Sequence, residues 1–240
     1  MSQWRFEVAS ECAYIVYIDG PISPDINRQI SSLCDLIASR LAAIVVDVVP
    51  SYSSIQITYD LHKISARDLA TALRHLQNEP LTIKPSENQR TRLIPVCYDE
   101  RLGPDLARVA QHTKRSIDEV IRRHSETHYN AYAVGFSPGF AYLGLLDSCL
   151  ATPRLKTPRP SVAKGSVAIA DRQTAIYPSE SPGGWNIIGR TPIEMFDLYT
   201  EPYSLIQPND GVQFIPIDLE TYNALLKDTT QWSTERGLNG

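Results

Sequence analysis

GFSPGFAYLG (135–144) and SPGGWNIIGRTP (181–192) bound the stretch on which the reading of this chain turns. Between Gly135 and Pro192 lie seven of the twelve glycines and two copies of the triplet TPR, at 152–154 and 157–159. Glycine serves where the backbone needs positive φ or close approach, and proline fixes φ and removes a donor. So dense a mixture predicts shaped turns rather than a flexible linker. Phe136, Phe140, Tyr142 and Trp185 interleave with those turns and with Arg154, Arg159 and Arg190. Rings, rigid turns and guanidinium groups together predict a concave surface for a small anionic ligand.

Around that stretch, from His128 onward, short apolar runs at 129–136, 166–170, 174–177, 185–189, 203–206 and 211–216 alternate with turn residues. Many short strands between Gly/Pro turns predict a barrel or sandwich. A helix over 218–226 closes the chain, and the polar tail 227–240 is expected to fray. Just upstream, 91–98 reads as a strand and 105–111 as a short helix. Ser116 and Glu119 form a capping box for a helix reaching 125. Ile117, Val120, Ile121 and His124 then share one face, which puts the imidazole on the buried side in a last turn whose dipole favours a cation.

KPSENQR (84–90) is polar and carries a proline, and the domain boundary is placed there, giving 1–87 and 88–240. The first part alternates as strands at 4–9 and 13–18. Pro24 opens a helix with Ile26, Ile30, Leu33 and Ile37 on one face, and a β-branched run over 41–49 is closed by Pro50. SIQITY (54–59) is a further strand, and Ser65 with Asp68 caps a helix to about 77. The expected class is α+β, a small N-terminal α+β domain followed by a β-rich one.

A net charge of −4 leaves no surplus of positive charge for a phosphate backbone, so nucleic acid is not an expected partner. No secretion-type leader or membrane-length apolar run is read, and the expected location is cytoplasmic. Cys12, Cys34, Cys97 and Cys149 form no C-x-x-C pair and are expected to be reduced and mostly buried.

Gly135 to Gly139 fits the G-x-S-x-G pattern of a nucleophile elbow, yet the residue after Ser137 is Pro138, which has no N–H for an oxyanion hole. A rigid loop floor is expected instead. His124 and His128 stand four apart without a third ligand at metal spacing, so no metal site is predicted. Arg154 and Arg159 could each grip a carboxylate or phosphate in a fork, or lie solvated. Pro182 and Gly183 suit positions two and three of a type II turn, leaving Trp185 beside bare backbone as a floor for a flat ligand or as a core plug.

His124, Tyr132, 135–144, TPRLKTPR (152–159), GSVAIA (165–170), QTAIYP (173–178), 181–192 and a late Gly-Asp-like element together resemble the family of B-type 5-oxoprolinase subunits. The sporulation kinase inhibitor KipI, allophanate hydrolase subunit 1 and a carboxyltransferase subdomain belong to the same group. Ala141, where a proline is usual, and Pro208-Asn-Asp-Gly211 depart from the pattern. The resemblance implies a cyclophilin-like β-barrel for the second domain and a subunit of an enzyme that opens 5-oxo-L-proline to glutamate with ATP. It implies Mg2+ with the nucleotide, and as partners a KipA-like C-type subunit and a LamB/YcsF-like A-type subunit. On that basis His124, Arg159 and Tyr177 are the candidate catalytic residues. Phe136, Pro138, Gly139, Phe140, Arg154, Gln173, Ser181, Gly183, Gly184, Trp185 and Arg190 are the candidate substrate- or nucleotide-binding residues. A KipI-like kinase inhibitor and a subunit of allophanate hydrolase or urea carboxylase type are the alternatives.

Overall fold

The computed structural model describes residues 4–83 and 90–234. Contacts divide the chain into two compact units, 1–88 and 89–240. Apart from Arg90, the segment expected to hold the boundary lies outside the described residues.

In the first unit, β1 (Trp4–Ser10), β2 (Ala13–Ile18), β4 (Ser54–Tyr59) and β3 (Val45–Ser51) pair antiparallel in that order. Alternate residues Tyr14, Val16, Ile18 and Ile55, Ile57, Tyr59 are buried, so one sheet face meets the apolar stripes of α1 (Pro24–Arg40) and α2 (Ala66–Leu76). Ser23 and Ser65 cap these helices, accepting from the N–H groups of Ile26 and Asp68. The third strand starts later than the apolar run predicts. Leu41 closes α1 with its N–H on the Ile37 carbonyl, and Pro50 sits inside the strand opposite Ile55 instead of ending it.

The second unit is a closed seven-stranded barrel. Its strands run in the order β6 (Tyr129–Val134), β13 (Gly211–Ile217), β5 (Thr91–Cys97), β12 (Asn186–Arg190), β9 (Ser166–Ala170), β10 (Gln173–Ile176) and β7 (Ala141–Gly144), with β7 pairing back onto β6. All pairs are antiparallel except β13 with β5. A two-stranded strap, β8 (Arg159–Val162) with β11 (Ser181–Gly183), stands apart from the barrel order. The barrel core gathers Ile94, Val96, Val167, Ile169, Ile188 and Phe214 with residues of α3 (Leu106–Thr113) and α4 (Ile117–Glu126).

Three expectations fail here. Residues 203–206 form no strand, only a single bridge from Ser204 to Phe196. The tail does not fray as far as 234: after α5 (Leu219–Lys227), the Trp232 indole N–H donates to the Leu93 carbonyl at 3.0 Å and the Leu93 N–H to that of Thr234 at 2.9 Å. An aromatic ring with a polar handle anchors a segment whose composition reads as loose. Of the four free cysteines Cys97 is buried, Cys12 and Cys34 are partly so, and Cys149 is exposed, so burial is less general than expected. Among the described residues no helix is long and apolar enough to cross a membrane.

His124 departs from expectation for a clear physical reason. It lies wholly inside the barrel core, stacked on Phe214 with ring centroids 4.5 Å apart. Thr174 Oγ1 donates to the Ala168 carbonyl, so it accepts from His124 Nε2–H at 2.9 Å, and Nδ1 accepts from the Tyr98 hydroxyl at 2.7 Å. Burial pulls the imidazole down to about 3 from its ordinary 6.5. Desolvation outweighs the helix dipole, whose worth is about 1 kcal/mol, so the ring is a neutral core group.

The folded state cannot take up the proton that the unfolded chain binds at His124 below pH about 6.5, so stability present above that pH is lost as pH falls towards 3. Urea midpoints measured from pH 7 to 4 should therefore fall less steeply for His124→Phe than for the parent chain. His124→Ala, which leaves two hydroxyls short of a partner beside a cavity, should cost about 3 kcal/mol at pH 7.

Candidate functional site

Strand β9 is buried along its whole length, and its residues divide by parity. Val167 and Ile169 enter the barrel core, while Ala168 and Ala170 face a second cluster containing Phe140, Ala175, Tyr177, Trp185 and Ile187. The same alternation runs through β10, where Ile176 points inward and Ala175 outward. Small side chains at 168, 170 and 175 leave depth on the outer face, and large rings fill it only in part. Phe140 is the hub, in edge contact with Tyr142, Tyr177 and Trp185 at centroid distances of 4.9, 5.5 and 5.9 Å.

The loop that delivers Phe140 is a tight β6–β7 hairpin connection. Gly135 N–H donates to the Phe140 carbonyl at 2.9 Å and Phe140 N–H to that of Ser137 at 3.0 Å. Pro138 and Gly139, with φ +81° at the glycine, occupy the central positions of a type II turn. A Cβ on Gly139 would stand 2.8 Å from Phe196 Cβ, so the position is closed to side chains on two grounds. The chain leaves this turn into a strand and not into the helix that a nucleophile elbow needs.

The resulting cleft has a volume of about 260 Å³ and is lined by Phe136, Phe140, Tyr142, Arg154, Pro158, Tyr177, Pro182, Gly183, Gly184 and Trp185. At its side the Arg154 guanidinium lies 5.6 Å from the Trp185 ring centroid, a cation–π arrangement. Burial raises the Tyr177 phenol above its ordinary value, opposed by a hydrogen bond from the Trp185 backbone and by the charges of Arg154 and Arg159. Tyr177 is thus a neutral phenol whose oxygen accepts from the Trp185 N–H, leaving its own proton to donate. The cleft combines the exposed Arg154 guanidinium, the neutral Tyr177 phenol and flat apolar walls.

Of the residues singled out in the sequence, Phe136, Phe140, Arg154, Tyr177, Gly183, Gly184 and Trp185 line this cleft. Pro138 and Gly139 shape its turn from behind. Ser181 sits in β11 opposite Val162, and Gln173 opens β10 opposite Ala170. Arg159 ion-pairs with Asp105 at 2.7 Å, and Arg190, at the end of β12, interacts with Tyr222 of α5. Neither guanidinium lines the cleft. The expected type II turn at 181–184 is absent: residues 181–183 form strand β11, and Gly183 has no positive φ. Its lack of a side chain has another reason, since a Cβ there would overlap the Tyr177 hydroxyl. The Trp185 N–H is taken by Tyr177.

Tyr142, one of the rings read in the sequence as part of a concave surface but not named there as a binding residue, also lines the cleft, as do Pro158 and Pro182. Among the described residues no group of three His, Cys, Asp or Glu could hold a metal ion, His124 and His128 included. Gly183→Ala should displace the Tyr177 ring. Near-UV circular dichroism should lose aromatic intensity while the far-UV spectrum stays unchanged, and an unaltered near-UV spectrum would show that the strap yields instead.

The family model described as carboxyltransferase domain, subdomain C and D, matches residues 4–206. The B-type 5-oxoprolinase subunit of Bacillus subtilis (strain 168) is 30% identical over 236 residues, 95% of this chain and 98% of that protein. Its counterpart in Haemophilus influenzae, again a B-type 5-oxoprolinase subunit, is 36% identical over 212 residues, 88% and 97% respectively. Among solved structures, that of TTHA0988 superposes with a TM-score of 0.75 at 32% identity. It covers 90% of this chain, which spans only 40% of TTHA0988. A family match over most of the chain and relatives aligned almost end to end carry one conclusion: the chain belongs to the carboxyltransferase domain, subdomain C and D, family.

Proposed function

We propose that this protein is one component of a cytoplasmic, ATP-dependent 5-oxoprolinase, acting with a KipA-like C-type subunit and a LamB/YcsF-like A-type subunit, and that its cleft receives the cyclic amide. The relatives named as B-type 5-oxoprolinase subunits motivate the reaction. The observation that carries the cleft assignment is the pairing of Arg154 above Trp185 with a neutral Tyr177 at the aromatic floor.

5-Oxo-L-proline is a small flat ring bearing one carboxylate and one lactam carbonyl. The Arg154 guanidinium pairs with the carboxylate, the ring packs on Trp185 and Phe140, and the Tyr177 hydroxyl donates to the lactam oxygen. A lactam carbonyl is a poor electrophile, and ATP supplies the phosphoryl group that converts its oxygen into a leaving group. Holding the ring in one orientation is this chain's contribution.

The cleft does not suit Mg·ATP itself. Phosphates and Mg2+ call for several cations and for oxygen ligands, whereas the described lining offers one guanidinium and no carboxylate. At about 260 Å³ it is also smaller than the roughly 300–1,000 Å³ typical of pockets for drug-sized ligands. We therefore place the nucleotide outside this cleft.

Glutamate release from 5-oxo-L-proline and ATP should appear only when all three components are mixed. Arg154→Ala should raise KM for 5-oxo-L-proline about tenfold or more, the loss of one charge-assisted bond, and Tyr177→Phe should lower kcat with a smaller effect on KM. A mixture without turnover, together with silencing of a histidine kinase by this chain alone, would replace the enzyme reading with a docking one.

A further inference from the structure

Among the described residues, five α-helices start at a residue suited to capping, and one of those residues does not cap. Ser23, Ser65, Ser116 and Asp218 each accept from the N–H three residues on. Asp105, at the start of α3, makes no such bond. A lost N-cap is worth about 0.5–2 kcal/mol, so the carboxylate must be engaged elsewhere. Its Oδ1 accepts from Arg159 Nη2 at 2.7 Å and its Oδ2 from the Ile187 N–H at 2.7 Å, while its own N–H donates to the Ile187 carbonyl at 2.9 Å. The Asp105 side chain is 8% exposed against 31% for Arg159. Water therefore screens this pair less than a surface one.

One turn further along α3, Arg108 donates to Oδ1 of the fully buried Asn186. Asn186 Nδ2 in turn donates to the carbonyls of Pro153 at 3.1 Å and Ile169 at 3.0 Å. The first turn of one helix thus grips the segment 153–159 at both ends, Pro153 through Asn186 and Arg159 through Asp105. Between them, the Leu155 N–H donates to the Gly184 carbonyl at 2.7 Å. Arg154, the cleft's cation, is the residue held in this frame.

We propose that Asp105 is a positioning residue for the cleft: through Arg159 it fixes the 153–159 segment so that the Arg154 guanidinium stands over Trp185. Arg159 is then a strut and not a catalytic group. Its Nη2 carries the bond to Asp105, while Nη1 is sealed from solvent with no partner among the described residues. The consequence for ligand affinity rests on the proposed binding of 5-oxo-L-proline in the cleft, but the placement of Arg154 does not.

The test begins without ligand. Intrinsic fluorescence of the whole chain is compared for the parent, Arg154→Ala, Asp105→Asn and the double variant. Arg154→Ala removes the cation from the indole and sets the reference change in emission. Asp105→Asn should shift emission in the same direction and should add nothing in the Arg154→Ala background. An Asp105→Asn spectrum identical to the parent, or a shift that persists undiminished without Arg154, overturns the proposal. If Asp105→Asn fails to fold, Arg159→Met, which keeps the stem and removes the cation that Asp105 holds, takes its place with the same two criteria.

In the three-component assay Asp105→Asn should raise KM for 5-oxo-L-proline about fivefold with kcat nearly kept, and should do so only where Arg154 is present. Equal KM effects with and without Arg154 count against it. A parent complex without turnover would remove the oxoprolinase reading while leaving the fluorescence result to decide the role of Asp105.

Discussion

Everything around the cleft depends on one strand being buried on both faces. SVAIA at 166–170 gives its branched residues to the barrel interior and its alanines to the outer cluster. Either face alone would be an ordinary amphipathic pattern. Together they make β9 the wall shared by a packed core and a recessed surface, with its backbone groups committed to β10 on one side and β12 on the other. The depth of the cleft is the difference in volume between alanine and the rings around it, kept open because Phe140, Tyr177 and Trp185 meet edge to face and cannot slide into the gap.

Polar groups buried in this wall are few, and those that position the site are bonded. Asn186 spends both amide hydrogens on carbonyls and its oxygen on Arg108. His124 uses both ring nitrogens, and Asp105 both oxygens. A buried amide or carboxylate lacking such partners would cost about 1–3 kcal/mol or more, so each of these residues specifies a single arrangement of its neighbours. Rigidity of the 153–159 segment has this origin as much as its prolines.

Much of the architecture was legible in sequence. Strand β9, the helix starts at Pro24, Ser65 and Ser116, and a barrel or sandwich follow from alternation, capping and turn residues, because those signals are local; the choice of barrel came with the resemblance. The resemblance to B-type 5-oxoprolinase subunits gave the activity, which no local pattern carries. Misreadings fall where a distant contact decides. Trp232 docks a tail whose composition looks loose, Ser204 finds only an isolated bridge, and His124 loses its proton to a core that its own helix does not reveal. At 181–184 proline and two glycines spelled a turn, but Gly183 is small because Tyr177 needs the space. Arg159 looked like an anion grip for want of any sign in the sequence that Asp105, 54 residues away, would claim it.

The β6–β7 hairpin closes the barrel and also carries Phe136 and Phe140 into the cleft. Closure and pocket are therefore one cooperative event: a chain in which β7 has not yet zipped between β6 and β10 has neither a sealed core nor a floor for a ligand. Any molecule bound in the cleft stabilises the fully closed barrel and no partly opened form. Hydrogen exchange at β9 and β10, the strands behind the cleft, accordingly becomes a reporter of occupancy.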